Sequence, residues 1–157
     1  MPDLTLWVDM ADNGGMSKFK TPVGCPCGGA AYATCCGPFI EGAALPQTAE
    51  QLMRSRYTAY TLRNEPYLLS TWHSSTRPAD PILSSDEKLQ WLGLEVKSGL
   101  RLRQRKAAAQ PDEDFVEFVT RLRANGRGQR LHELSRFVRE AGEGGLRWFY
   151  VDGEFPE

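Results

Sequence analysis

The twelve residues CPCGGAAYATCC, Cys25 to Cys36, constrain this chain more than any other stretch, because they hold all four of its cysteines. One residue separates Cys25 from Cys27, Cys35 and Cys36 are adjacent, and seven residues lie between the pairs. A loop of that length can close and aim four sulfurs at one centre, the donor set of a tetrahedral zinc site with bonds of roughly 2.3 Å. Pro26 stiffens the first ligand turn, while Gly28 and Gly29 permit positive φ and let backbone N–H groups approach sulfur. Four thiolates around one divalent ion leave two negative charges, which backbone N–H groups and the nearby Lys18 and Lys20 are expected to offset. Four cysteine ligands fill every position, so the site is expected to be structural or a docking surface and not hydrolytic. Disulfides, a redox dithiol and ordinary buried cysteines all fit the spacing less well. His73 and His132 stand far along the chain and are not expected to displace a cysteine.

A chain of 157 residues can bury a core without covalent staples. With 41% hydrophobic and 25% charged residues and a net charge of -1, it is neither a disordered chain nor an electrostatic partner of nucleic acid or membrane as a whole. The apolar cluster LTLWV is too short for a signal-peptide core, and no run approaches the roughly 20 apolar residues of a membrane span. The expectation is a cytoplasmic protein whose thiols stay reduced.

Residues 1–24 read as a flexible leader, with Met16 as an alternative start, 25–37 as a zinc knuckle, 38–46 as a Gly/Pro/Ala linker, and 47–154 as a folded domain. Thr48 and Gln51 have capping-box spacing and predict a helix over 48–63 whose Ala49, Leu52, Met53, Arg56 and Tyr60 share one face. A second helix is expected to start at Pro66 and to carry Leu68, Leu69 and Trp72. WLGLEV alternates, placing Leu92, Leu94 and Val96 on one face, and DFVEFVTRLR, RLHELSRFVRE and LRWFYVDG follow between Gly-rich turns as an antiparallel meander. This order predicts an α+β fold with helices covering one face of the sheet. LRLRQRKAAAQ, residues 100–110, is expected to be a solvated strand edge and loop and not a nucleic-acid patch, since no aromatic residue interleaves with it.

CPCGGAAYATCCG resembles the SEC-C zinc motif, one residue shorter between the cysteine pairs than its common form, with Gly29 and Ala30 in place of its usual Ser-Gly. LMRSRYTAY, YLLSTWHSSTRP, WLGLEV and SRFVRE…WFYVDG together resemble the YchJ-like family of bacterial proteins, in the same order over about 25–153. The resemblance implies a zinc knuckle followed by a cystatin/nuclear-transport-factor-two-like cone, with helices packed on a curved antiparallel sheet. It also implies a protein partner for the knuckle and dimerisation through an exposed sheet face.

A cone leaves a pocket at its open end. Arg56 and Tyr60 on the first helix, Trp72, His73 and Arg77 after the second, and Glu133 on the third strand are the candidates to line it. Arg56 and Glu133 are expected to form an ion pair fixing helix on sheet, whereas His132 and Glu133 point to opposite faces of a strand and cannot serve one centre. No phosphate-cradling loop, nucleophile elbow or metalloprotease helix is present. The functional expectation is a zinc-binding protein whose cone holds a small ligand. The alternative is an enzyme acting on a small anionic or carbonyl-bearing molecule, with Arg56 or Arg77 binding the anion and His73 or Glu133 moving a proton.

Overall fold

The computed structural model describes residues 24–83 and 88–156. The leader over 1–24, with Met16, Lys18 and Lys20, lies outside these residues except for Gly24. The cysteine loop contains one 3-10 turn, Tyr32–Thr34, and runs into the one-turn helix α1, Gly37–Ile40, where the sequence suggested only a linker.

Helix α2 spans Ala49–Thr61. Thr48 Oγ1 accepts the Gln51 N–H at 3.1 Å, while Gln51 Oε1 reaches back past Thr48 to accept the Gln47 N–H at 2.7 Å. Its buried residues surround most of the helix, because one side packs on the sheet and the other on the cysteine loop and the next helix. Helix α3, Glu65–Ser70, is capped by Asn64 Oδ1 accepting the Tyr67 N–H, and ends before Trp72. The chain beyond it pairs with the last strand, with His73 N–H donating to Tyr150 O and Tyr150 N–H to Thr71 O.

Strands β1 (Leu89–Lys97), β2 (Glu113–Ala124), β3 (Arg127–Gly142) and β4 (Gly145–Glu154) form an antiparallel sheet in sequence order. Asn125 and Gly126 turn β2 into β3 with φ of 51° and 85°, the pair of left-handed residues that a tight hairpin requires. The core between α2 and the sheet is built on Leu52, Met53, Val116, Phe137 and Trp148.

Irregularities in both outer strands bend the sheet and reset which side chains face inward. In β1 the register slips between Trp91 and Gly93, so Leu92 is looped out at 51% exposure while Trp91 and Leu94 both pack inward. This corrects the expectation that Leu92 shares a face with Leu94 and Val96; the extra residue of a bulge switches the alternation. In β4 the register slips where Phe137 pairs with Tyr150 and Arg136 with Asp152.

Residues 100–107 form a helix, α4 (Leu100–Ala107), and not a strand edge. Leu102 packs on Phe115 and Leu134, covering part of the sheet face opposite α2, so helices lie on both faces. Three of its basic residues pair with carboxylates of the sheet, Arg101 and Arg105 with Glu154 and Lys106 with Asp114, while Arg103 donates to the Ser98 carbonyl.

Candidate functional site

The four cysteine sulfurs all lie within 4.8 Å of one another, with Cys27 and Cys35 at 3.5 Å and Cys35 and Cys36 at 4.0 Å. Tetrahedral bonds of about 2.3 Å separate sulfurs by roughly 3.8 Å, so these donors fit a metal ion of that size. Gly29 makes the closure possible, since a Cβ there would stand 2.6 Å from Cys35 Sγ, and Gly28 takes a left-handed φ of 102°. Cys25, Cys27 and Cys36 are buried, and all four are free thiols.

Helix α2 supplies the polar surroundings of this cluster. Thr58, fully buried, donates its hydroxyl to Cys36 Sγ at 3.3 Å and lies 3.6 Å from Cys25 Sγ. Arg54 Nη1 donates to the Cys27 carbonyl at 2.9 Å, bringing a positive charge beside the cluster; Lys18 and Lys20 lie outside the described residues. Hydrogen bonding among the four sulfurs shares their protons unevenly. The Cys36 thiol is pushed up by hydrogen bonding with Cys25 and Cys27, Cys35 is pushed up to about 12 by burial and by Cys27, and Cys25 is driven well down by bonds from Cys27 and Cys36. A divalent ion would take the place of those protons.

On another side of the same helix a cavity of about 240 Å³ opens toward the sheet. Arg56, Tyr60, Trp72 and Glu133 line it together, joined by Tyr57, Trp91, Phe118 and Tyr150. Arg56 is 6% exposed; its Nη1 donates to Leu68 O at 2.8 Å and Thr71 Oγ1 at 2.7 Å, and the Tyr60 hydroxyl also bonds its guanidinium. Its guanidinium lies 5.0 Å from the Trp72 ring and 4.6 Å from that of Tyr150. Glu133 Oε2 accepts from Ser135 Oγ and Tyr150 OH, both at 2.9 Å. Burial raises its pKa above the usual carboxylate value.

The expected Arg56–Glu133 ion pair is absent among the described residues; Tyr150 stands between them, its ring under Arg56 and its hydroxyl on Glu133. His73 and Arg77 do not line the cavity. His73 bonds Glu140 through Nε2 at 3.0 Å and Ser75 through Nδ1 at 2.7 Å, and Arg77 folds back on the Trp72 carbonyl. Both follow from the early end of α3, which turns the chain along β4 and leaves only Trp72 facing inward. His132 bonds Glu117 at 2.6 Å on the opposite sheet face from Glu133. Cys25 and Tyr57 also border a shallow groove beside the β1 bulge.

Residues 48–153 match the family described as YchJ, middle NTF2-like domain. The chain belongs to the YchJ family. It is 52% identical over 138 residues to a UPF0225 protein of Cupriavidus metallidurans, covering 87% of this chain and 92% of that one. It is 47% identical over 139 residues to a UPF0225 protein of Chromobacterium violaceum, covering 87% and 96%. A SEC-C motif containing protein from Rhodopseudomonas palustris superposes with a TM-score of 0.59 at 28% identity, over 85% of this chain and 99% of that one. A SEC-C motif containing protein from Psychrobacter arcticus shares the fold at a TM-score of 0.64 and 24% identity, over 85% and 83%.

Within this YchJ-type frame the sequence did not single out Thr58 and Arg54. The signal was their spacing of four, which places both on the helix face away from Arg56 and Tyr60. Nor did it place Thr120, whose hydroxyl donates to the Gly93 carbonyl at the bulge, at 2.8 Å. No described helix is long and apolar enough to cross a membrane.

Proposed function

We propose that this protein binds one zinc ion through Cys25, Cys27, Cys35 and Cys36, that the metal-closed knuckle is a structural clamp on α2, and that the cone holds a small ligand against the same helix. The observation that carries this is the convergence of four sulfurs beside α2, which holds Cys36 Sγ through Thr58 and the Cys27 carbonyl through Arg54 and whose Arg56 and Tyr60 line the cavity. Four thiolates leave no open coordination position for water, which favours a clamp over hydrolytic chemistry. Purified protein is expected to carry about one zinc per chain, lost in Cys27→Ser together with a fall in thermal stability. Protein without bound metal at neutral pH would overturn the proposal.

A second reading, an enzyme moving a proton on a small carbonyl compound, is favoured by the presence of Arg56 and Glu133 in one cavity with Glu133 raised toward its neutral form. Its test is solvent deuterium incorporation into such a compound, catalysed by the native protein and lost in Glu133→Gln.

A further inference from the structure

We propose that the cavity beneath α2 binds a single-ring organic carboxylate, its anion held by Arg56 and its ring among Trp91, Tyr57 and Phe118. This rests on the ligand-binding part of the function proposed above and names the class of ligand.

Arg56 is the deciding group. A buried guanidinium ordinarily has an anionic partner, because desolvation of an uncompensated charge is costly. Here no carboxylate among the described residues lies within ion-pair distance; the Leu68 carbonyl, the hydroxyls of Thr71 and Tyr60 and two ring faces surround the charge instead. Its Nη1 bonds and the neighbouring Tyr60 hydroxyl are neutral contacts, so among the described residues no anion takes the guanidinium fork that accepts a carboxylate through two parallel bonds. Trp72 and Tyr150 hold the group in place, so little orientational freedom remains to be lost on binding.

Glu133 does not fill that role. Its carboxyl is held by Ser135 and Tyr150, and it sits where a Cβ at position 153 would collide with it, so the glycine there admits the acid. Burial favours its neutral form, and an anion beside it would favour that form further, leaving a carboxylic acid able to donate to the ligand. A cationic ligand would instead meet Arg56 in a low-dielectric cavity.

Size and walls narrow the class. A volume of about 240 Å³ lies just below the ~300–1,000 Å³ typical of drug-sized ligands. A space of this size favours a single ring over a nucleotide or large cofactor, and a lone inorganic anion would leave the aromatic walls unused. Trp91 and Tyr57, in edge contact with ring centres 5.7 Å apart, offer a flat molecule both a face and an edge.

The test uses the full zinc-loaded chain and three probes of nearly one shape, benzoate, benzamide and benzylamine, titrated by calorimetry and by amide chemical shifts. Benzoate is expected to bind about tenfold or more tightly than benzamide, with benzylamine weaker still. Arg56→Gln should abolish that preference. Because Arg56 also ties α2 to α3, Leu131→Trp serves as a second variant, filling the cavity from β3, and should abolish benzoate binding in a folded protein. Equal binding of benzoate and benzamide would overturn the carboxylate assignment while the ligand-binding role stands. Failure of all three probes to bind, or benzoate binding unchanged by Leu131→Trp, would overturn the assignment together with the cavity as its site.

Discussion

The cysteine cluster and the cavity share α2 but are assembled in opposite ways. The four sulfurs come from twelve consecutive residues, so closing the knuckle costs little chain entropy and its donors converge by local turns alone. The cavity takes walls from α2, the segment after α3 and all four strands, so it exists only once the sheet has formed. One helix face, with Arg54 and Thr58, serves the first, and the side with Met53, Arg56 and Tyr60 serves the second. A metal clamp can thus stabilise a helix without entering the pocket that the helix roofs.

Substitutions that strike one region and spare the other put this division to work. Phe137, fully buried between α2 and the sheet, is expected to cost about 3–5 kcal/mol as Phe137→Ala in denaturant unfolding, while zinc stoichiometry of the folded protein stays unchanged. Loss of zinc along with stability would show that the knuckle depends on the cone core. Gly29→Ala sets a methyl against Cys35 Sγ and should weaken zinc binding by about 10–100-fold in chelator competition, leaving the sheet's amide protection intact. The smallest effect concerns Glu133. Its folded pKa is raised, so between the unfolded and folded values the folded state binds more protons and stability falls as pH rises. Glu133→Gln removes this dependence, and its melting temperature should gain on that of the native chain from pH 4 to pH 8. A constant difference would mean that Glu133 titrates alike in both states.

How far each region was legible follows from the same contrast. The donor set and the glycines of the knuckle were visible because spacing within a short loop dictates geometry. The cap of α2 and the strand meander were visible because they too are local patterns. The inward turn of Trp91 was hidden by the bulge at Leu92, for which Gly93 in mid-strand was the available signal, and the β4 irregularity had none as plain. Leu100 and Leu102 alternate with arginines and mimic a strand edge, yet the Arg, Gln, Lys and Ala of 101–107 favour a helix, and Leu102 packing on Phe115 and Leu134 fixes it. The fates of His73 and Arg77 depended on α3 ending before Trp72, a boundary set by pairing with β4 that lies about 75 residues further on.

The central claim is that the four sulfurs close around one metal ion. X-ray absorption at the zinc edge of the purified native chain tests it most directly. The account predicts a single shell of four sulfurs at about 2.3 Å and no oxygen or nitrogen ligand. A shell containing water, histidine or fewer than four sulfurs would contradict a closed structural clamp.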